Sequence, residues 1–302
     1  MSRPRILIEA LRQTIALEPE TLTLVVACAL AGGHLLLEDV PGVGKTLMGK
    51  SLAALLGLGF RRVQFTPDLL PSDLTGVSLY QAQSGEFRFA PGPLFTHVLL
   101  ADEINRASPR TQAGILEAME ERQVSMDGTT HPLPRPFFVI ATQNPLTFEG
   151  TFPLPEVQLD RFMAVLSLGY PGYDHEMALL EGRHGQPPLQ SPIAPETFLE
   201  WQARCQEVRI EASLRGYLLN VVRASRVWPG VALGISPRGA LAWQALARGM
   251  AFLHDRTYVL PEDLRRTAPA ALAHRMVLSE PATTGAKRNV LQAILEREPV
   301  PR

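Results

Sequence analysis

A glycine-containing turn between an apolar run and a helical pattern constrains the possible fold most strongly. Residues 34–38 (HLLLE) form an apolar run that predicts a buried strand, and residues 46–56 place leucines at helical spacing. Between them lies the sequence PGVGKT, residues 41–46. A strand, a glycine-rich turn and a helix in this order are the context in which a loop can wrap phosphate oxygens. The segment therefore predicts a phosphate-binding loop inside an α/β fold.

Further apolar runs follow the first strand, with helical patterns between them. They are residues 60–65, 95–103, 137–145 and 162–170. Strands that are apolar throughout, separated by helices, are typical of a parallel sheet that is covered on both faces. Ser108, followed by Pro109, is expected to cap one of the intervening helices. We therefore expect an α/β protein with αβα layers around a parallel sheet.

Two segments between these elements have the pattern of β-hairpins. Residues from about 79 to 91 alternate in polarity across Ser84-Gly85, and residues from about 122 to 136 carry Asp127-Gly128 between two short runs. We expect both hairpins to be insertions into the αβα domain.

A proline-rich segment marks the expected domain boundary. The sequence GQPPLQSPIAPETF, residues 185–198, contains four prolines, and the patterns after it are helical. We expect residues 1–186 to form the αβα domain, and residues 187–302 to form a small all-helical domain with a C-terminal tail.

The charge and the cysteine content argue against several classes of protein. A formal net charge of −1 gives no indication of a nucleic-acid or anionic-membrane partner. Cys28 and Cys205 form neither a disulfide framework nor a metal-ligand spacing. Residues 21–37 lack acidic side chains, lysine and arginine, but 17 residues interrupted by Gly32-Gly33 suit a buried helix and strand better than a membrane span. We expect a cytoplasmic protein without membrane insertion.

The phosphate-binding loop supplies backbone amides, a cation and a hydroxyl. Gly42 and Gly44 allow successive N–H groups to point into one concavity, and the following helix adds partial positive charge at its N-terminus. We expect Lys45 to reach the β- and γ-phosphates of ATP, and the Thr46 hydroxyl to hold Mg²⁺. The expected nucleotide-binding residues are Pro41, Gly42, Val43, Gly44, Lys45, Thr46 and Leu47.

Asp39 departs from the usual loop pattern, which has glycine at that position. The amides that wrap the phosphates belong to residues 42–47, so residue 39 is expected to lie at the end of the strand. We expect its carboxylate to bond loop amides at its own strand end and to point away from the triphosphate. The departure therefore leaves the assignment of the loop in place.

Polar residues stand at the ends of two further predicted strands. Asp102 suits Mg²⁺ coordination, and Glu103 suits polarising a water for attack on the γ-phosphate. Asn144, at the next strand end, can orient that water. An acid pair that merely ends a strand and a simple Asn-Pro turn are the alternative interpretations. Because the ends of parallel strands meet at the carboxyl edge of the sheet, a common site is favoured.

Three arginines are candidates for neutralising the transferred phosphoryl group. They are Arg106, Arg161 and Arg238. Any single arginine is more often a surface or salt-bridge residue, so their assignment depends on a comparison with a family.

Six segments together resemble the MoxR family of AAA+ ATPases. They are HLLLEDVPGVGKT, FTPDLLPSDLTG, LLADEINRASPRTQAGILEAMEE, IATQNP, FPLPEVQLDRF and ISPRGA. The resemblance extends from about His34 to Met276. It implies an αβα nucleotide-binding domain, a small helical lid and a ring, usually a hexamer. It also implies that the two hairpins are the helix-2 and pre-sensor-1 insertions of that clade, which often line the central pore.

The same resemblance implies roles for the residues at the strand ends. Lys45 and Thr46 are similar to the ligands of the first loop, and Asp102 and Glu103 to the second acidic motif. Asn144 is similar to the first sensor.

The resemblance also implies roles for two of the arginines. Arg161 resembles the arginine finger that is offered to the neighbouring subunit. Arg238 resembles the second sensor, which acts on the nucleotide of its own or of a neighbouring chain. The chain departs from the family near the adenine, where Glu18 and Glu20 stand in TIALEPETLTL in place of a Val-Gly-Gln-like segment.

By resemblance, the function is ATP-driven, chaperone-like remodelling or maturation of a protein, with a von Willebrand factor A-domain partner. A chelatase-type motor subunit for metal insertion is the nearest alternative, because that family shares both hairpins. A nucleotide-gated binding module without turnover is an alternative of another class, although Glu103 and Asn144 argue against it. A DNA motor is disfavoured by the near-neutral charge, and a GTPase by the lack of an Asn-Lys-x-Asp string.

Overall fold

The apolar runs and helical patterns of the sequence fold into alternating strands and helices. A computed structural model of the chain describes residues 4–15, 17–39, 42–144, 150–170, 172–181, 193–280 and 283–301. The strands are β1 (Leu35–Glu38), β2 (Phe60–Gln64), β3 (Gly76–Gln81), β4 (Glu86–Pro91), β5 (Val98–Asp102), β6 (Gln123–Met126), β7 (Thr129–Pro132), β8 (Phe138–Gln143), β9 (Ala164–Leu166), β10 (Val231–Leu233) and β11 (Val277–Leu278). The helices are α1 (Ile6–Thr14), α2 (Pro19–Leu30), α3 (Lys45–Leu55), α4 (Pro71–Thr75), α5 (Pro109–Glu121), α6 (Glu156–Leu159), α7 (Tyr173–Leu180), α8 (Pro195–Gln206), α9 (Ala212–Val227), α10 (Pro237–Leu253), α11 (Pro261–Leu272) and α12 (Thr284–Arg297). Short 3-10 helices span Ile104–Arg106 and Ala273–Arg275.

Five strands form one parallel sheet in the order β2-β5-β8-β1-β9. The strands β1, β5, β8 and β9 are buried along most of their length, whereas β2, at one edge, is mostly exposed. Successive side chains point to opposite faces, so Leu35 and Leu37 enter one apolar cluster and Leu36 enters the other. The predicted α/β class with a parallel sheet is confirmed.

Helices cover both faces of this sheet. Apolar residues of α1, α2 and α3 pack on one face. On the other face, α5 contributes Ile115, Leu116 and Met119. The α5 helix begins as predicted, because the Ser108 hydroxyl accepts a hydrogen bond from the Thr111 N–H at 3.3 Å and Pro109 occupies the first turn. The αβα layering follows from the two apolar faces of the sheet.

The C-terminal helices share the core on the α2 side. Trp201 and Trp243 belong to the same buried apolar cluster as α1, α2 and α3. Gly249 of α10 lies so close to α2 that an added Cβ would come within 2.5 Å of the Ala27 carbonyl oxygen. Glycine therefore permits the close packing of these two helices.

The C-terminal part is mainly helical, but it is not all-helical as the sequence led us to expect. The short strands β10 and β11 pair in antiparallel fashion, with Val231 opposite Leu278. The strand β10 is only three residues long and is followed by Gly234. So short an apolar run does not indicate a strand, and the pairing was therefore not predicted. The expected domain limits stay a prediction, because the boundary at residues 186 and 187 lies outside the described residues.

Two antiparallel hairpins lie outside the central sheet. The first pairs β3 with β4, and the second pairs β6 with β7. They touch each other, because the Ser78 hydroxyl donates to Asp127 Oδ2 at 2.6 Å and the Phe89 ring stacks on the His131 ring at a centroid distance of 4.0 Å. The two insertions therefore form one surface feature.

Both cysteines belong to the apolar interior. Cys28 and Cys205 are free and buried. Burial raises the pKa of both thiols, that of Cys205 to about 12. They remain neutral thiols that pack as small apolar side chains.

Among the described helices, none has both the length and the apolar character that a membrane span requires.

An ion pair between a buried arginine and a partly buried aspartate joins the C-terminal part to the segment before β9. Arg275, in the second 3-10 helix, is 5% exposed, and its Nε donates to Asp160 Oδ1 at 2.6 Å. Its Nη2 donates to the carbonyl oxygens of Asp160 at 2.9 Å and Phe162 at 2.8 Å. The Ser236 hydroxyl, which also caps α10, donates to Asp160 Oδ2 at 2.9 Å. One carboxylate thus holds two C-terminal segments against the sheet.

Asp39 has a structural role at the end of β1. It is 5% exposed, and its carboxylate accepts hydrogen bonds from Ser167 Oγ at 2.7 Å, Leu168 N at 2.6 Å and Gly169 N at 3.3 Å. These donors follow β9, the neighbouring strand, so the expectation that Asp39 bonds amides at its own strand end gave the wrong partners. The carboxylate fixes the chain where it leaves the edge of the sheet.

We predict that Arg275→Met lowers the free energy of unfolding by about 2–4 kcal/mol, because the hydrogen bonds of the buried guanidinium are lost and the partly buried Asp160 carboxylate loses its counter-ion. Urea unfolding followed by circular dichroism measures the loss. The matched control is Arg288→Met, an exposed arginine of α12, which should change stability by less than about 0.5 kcal/mol. Equal stability of the two variants would contradict the role given to the ion pair.

We also predict that Asp39→Ala destabilises the protein by about 1–3 kcal/mol, because the Leu168 and Gly169 amides lose a buried acceptor. Asp39→Asn keeps one acceptor oxygen and should lose less. The same urea unfolding experiment compares the three proteins. An Asp39→Ala protein as stable as the parent would show that these hydrogen bonds contribute nothing.

Candidate nucleotide site

A cavity of about 430 Å³ opens at the carboxyl ends of the central strands. This volume lies in the range of small-molecule sites, and this edge is where open parallel sheets bind ligands. The residues that line it are Asp39, Gly42, Gly44, Lys45, Thr46, Leu47, Arg62, Gln64, Asp102, Glu103 and Asn144. The structure therefore brings most of the predicted phosphate-loop and strand-end residues together. Of the others in the loop, Val43 is buried and Pro41 lies outside the described residues.

The backbone of the loop has the conformation that its glycines allow. Gly42 and Gly44 have φ values of 90° and 89°, in the left-handed region that favours glycine. A Cβ at either position would meet no atom within 4 Å, so the requirement is for the backbone conformation and not for space. Lys45 and Thr46 begin α3 and line the cavity. The free N–H groups of that helix end are therefore available to an anion.

Lys45 lies among the charged groups of the cavity. Its Nζ donates to the Asp39 carbonyl oxygen at 2.9 Å. Burial lowers the pKa of Lys45. Nearby carboxylates oppose this shift, those of Asp39, Asp102 and Glu103. The side chain is held at the mouth of the loop by a neutral acceptor that a phosphate oxygen can replace.

Thr142, which was not among the residues expected from the sequence, positions the two acids. Its hydroxyl donates to Asp102 Oδ1 at 2.7 Å and accepts from the Glu103 N–H at 2.9 Å. Glu103 has φ 56° and ψ 51°, a left-handed conformation that is uncommon for a residue with a side chain. The signal in the sequence was a threonine inside an apolar strand, two residues before Asn144.

Three further polar side chains hold the acids in place. Arg62 donates to Asp102 Oδ2 from Nε at 3.1 Å and from Nη2 at 2.6 Å. Gln64 Nε2 donates to Glu103 Oε2 at 2.8 Å, and Arg106 Nη1 lies 3.1 Å from the same oxygen. Arg62 and Gln64 were not identified from the sequence, although alternate polar residues on a strand give a weak signal. Arg106, a candidate phosphoryl-group arginine, contacts Glu103 here.

The donor atoms of the cavity fit a magnesium ion that is bound together with a nucleotide. The Asp102 carboxylate and the Thr46 hydroxyl line the same cavity. Mg²⁺ prefers oxygen donors and usually takes one or two carboxylates, with phosphates and waters completing its shell. Within the described residues no group of three or more His, Cys, Asp or Glu side chains could hold a metal ion. A metal here would thus depend on the nucleotide for part of its coordination.

Arg161 and Arg238 lie together in a second cavity of about 230 Å³. Arg161 Nε is 3.2 Å from Glu120 Oε2, and Arg238 Nη2 donates to Glu120 Oε1. Residue His34, just before β1, lines this second cavity, whereas Asp39, just after β1, lines the first. A strand rises by about 3.3 Å per residue, so His34 and Asp39 are roughly 16 Å apart. Among the described residues, neither arginine lines the phosphate-loop cavity.

Comparisons with known proteins agree with this geometry. A family model described as "ATPase family associated with various cellular activities (AAA)" matches residues 34–164, and an AAA lid domain model matches residues 223–297. The uncharacterized protein YeaC of Bacillus subtilis is 52% identical over 258 residues, which cover 84% of this chain and 81% of YeaC. Chaperone MoxR1 of Mycobacterium tuberculosis is 42% identical over 263 residues, which cover 83% of this chain and 69% of MoxR1.

A crystal structure of a protein from Cytophaga hutchinsonii superposes with a TM-score of 0.89 at 36% sequence identity. The match covers 98% of this chain and 94% of that one. Because relatives at 52% and 42% identity cover more than four-fifths of this chain and both AAA models match it, the chain belongs to the MoxR family of AAA+ ATPases.

Proposed function

We propose that this ATPase hydrolyses Mg²⁺-bound ATP in the phosphate-loop cavity and uses the cycle to remodel a protein partner. The observation that carries the proposal is that Lys45, Thr46, Asp102, Glu103 and Asn144 all line one cavity. Binding begins with the backbone N–H groups of the loop and of the first turn of α3, which donate hydrogen bonds to phosphate oxygens. Lys45 Nζ then gives up its hydrogen bond to the Asp39 carbonyl oxygen and binds the β- and γ-phosphates instead.

The acid pair and the amide have separate tasks in the proposed reaction. Asp102 and Thr46 hold Mg²⁺, which, when bound, neutralises charge on the phosphate oxygens. Glu103 polarises the attacking water, and Asn144 orients it. Thr142 contacts both acids through one hydroxyl. The distance between the water at Glu103 and the cation at Asp102 is therefore fixed.

Arg161 and Arg238 act on the nucleotide of a neighbouring chain. The support is their position near the amino end of β1, at the opposite end of the strand from the phosphate loop. A chain that offers its cations to a neighbour needs that neighbour for a complete site. We therefore infer a ring of identical chains, a hexamer as the family resemblance implies.

The partner is a protein, and the resemblance favours one with a von Willebrand factor A domain. The name of the related Chaperone MoxR1 supports a chaperone-like role. The first hairpin supports it too, because Tyr80 and Phe87 are 60% and 74% exposed, and exposed apolar groups of this kind commonly mark protein contacts. We place the protein in the cytoplasm, where ATP is available and free thiols such as Cys28 stay reduced.

Two substitutions separate nucleotide binding from turnover. Lys45→Ala should weaken ATP binding by about 10- to 100-fold, because a charged hydrogen bond to phosphate is lost. Glu103→Gln should bind ATP like the parent and lose about 10²- to 10⁴-fold in turnover, because it removes the base. Equilibrium binding of a fluorescent ATP analogue and phosphate release measure the two effects. Lys50→Ala, an exposed lysine of the same helix, is the control and should change neither. Parent-like hydrolysis by Glu103→Gln would favour a different base.

A mixing experiment tests whether Arg161 acts between chains. Arg161→Ala should bind ATP normally and lose about 10³- to 10⁵-fold in turnover, as arginine fingers do elsewhere. Lys45→Ala chains bind ATP poorly but keep the finger, so a mixture of the two variants should recover part of the activity. A mixture of Arg161→Ala with the double variant Lys45→Ala/Arg161→Ala has no intact finger and should stay inactive.

The mixing experiment can also contradict the proposal that Arg161 acts between chains. If Arg161 only anchors Glu120 within its own chain, the Arg161→Ala protein loses stability and mixing restores no activity. Light scattering establishes that the variants assemble together, so that an absence of rescue decides against the shared site.

A further inference from the structure

Asp102 already has a cationic partner within its own chain. The Arg62 guanidinium contacts Asp102 Oδ2 with two nitrogen atoms, at 3.1 Å and 2.6 Å. The other carboxylate oxygen, Oδ1, accepts from the Thr142 hydroxyl at 2.7 Å. Arg62 therefore occupies the carboxylate oxygen that Thr142 leaves available.

The position of Arg62 follows from strand register. Gln64 of β2 stands opposite Asp102 of β5, and Arg62 lies two residues earlier on the same face of β2. Diagonal neighbours of this kind are within reach of a long side chain. Because β2 is an edge strand, the Arg62 side chain remains 47% exposed, while that of Asp102 is 16% exposed. The contact joins a partly buried acid to a more exposed cation that can move out into solvent.

A guanidinium and a divalent cation compete for one carboxylate oxygen. Pairing with Arg62 neutralises the charge that would attract Mg²⁺, and two cationic groups at one oxygen repel each other. We propose that Arg62 competes with Mg²⁺ for Asp102 and thereby sets the Mg²⁺ concentration at which nucleotide binds. The inference rests on the proposed function, because it takes Asp102 as a metal ligand.

Arg62 can leave Asp102 without losing every polar contact. Its Nη2 also donates to Gln64 Oε1 at 3.2 Å. An ion pair in which one partner is about half exposed is screened by water and ions, so the competition is modest. Without Arg62, the Mg²⁺ concentration for half-maximal nucleotide binding should fall by about 2- to 5-fold. The ion pair thus raises the Mg²⁺ concentration that nucleotide binding requires, but it does not prevent binding.

The test is a Mg²⁺ titration of nucleotide binding with the full chain. A fluorescent ATP analogue that is not hydrolysed reports binding at fixed nucleotide concentration, so turnover does not enter. Arg62→Ala should reach half-maximal binding at about 2- to 5-fold lower Mg²⁺ than the parent, and the difference should shrink at high ionic strength. In excess chelator, Arg62→Ala should bind no tighter than the parent.

A neighbouring arginine provides the matched control. Arg61 precedes Arg62 on β2, points to the opposite face and donates to the Gly92 carbonyl oxygen at 3.5 Å. Arg61→Ala removes the same charge from the same strand without touching Asp102. It should leave the Mg²⁺ midpoint at the value of the parent.

The remaining outcomes decide against the inference or against its premise. An unchanged or higher Mg²⁺ midpoint for Arg62→Ala overturns the competition. Weaker binding both with Mg²⁺ and in chelator also overturns it, and shows that Arg62 binds the phosphates. If Lys45→Ala binds the analogue as well as the parent does, it is the proposed nucleotide site that fails.

Arg62→Lys keeps the inference testable if the alanine variant does not fold. Lysine retains the charge but lacks the planar fork that gives two contacts to one oxygen. Its Mg²⁺ midpoint should lie below that of the parent and above that of Arg62→Ala. A lysine variant with a midpoint equal to or above the parent value overturns the proposal by itself.

Discussion

The ion pair of the buried Arg275 with Asp160 is the contact on which the relative placement of Arg161 and Arg238 depends. Arg161 directly follows Asp160, and Arg238 lies two residues after Ser236, whose hydroxyl also donates to the Asp160 carboxylate. Burial disfavours a charged guanidinium and lowers the pKa of Arg275, so the pairing with Asp160 must be kept once the core has formed. Asp160 therefore holds the segment that carries Arg161 beside the first turn of α10, which carries Arg238.

The parallel sheet separates the two halves of the proposed site. The carboxyl ends of its strands bring together the phosphate loop, the acids and Asn144, while the two arginines lie near the amino end of β1. A strand keeps its ends apart by about 3.3 Å per residue, so no side-chain rotation within one chain closes the gap. This separation is the geometric reason for the proposal that a second chain completes the site, and under that proposal turnover depends on assembly.

Much of this arrangement could be predicted from local pattern. Apolar runs locate the strands, and the rule that parallel strand ends meet at one edge places Asp102, Glu103 and Asn144 beside Lys45. The contacts that were missed depend on which strands are neighbours. Asp39 bonds the amides after β9 because β9 lies beside β1, and Arg62 meets Asp102 because β2 lies beside β5. Neither adjacency is written in the spacing of residues along the chain, so local reasoning could not supply the partners.

Four charged groups of the two cavities share one property, which is that each has a partner that can be exchanged. Lys45 donates to a backbone carbonyl, and Asp102 pairs with a half-exposed arginine. Arg161 and Arg238 both contact Glu120. Charges held in this way avoid the large cost of an unpaired buried charge, and a phosphate, a cation or a neighbouring chain can replace each partner at a small net cost. In the proposed ring, Glu120 releases the arginines before they reach a neighbour's nucleotide, so the proposal couples assembly to catalysis through the exchange of ion pairs.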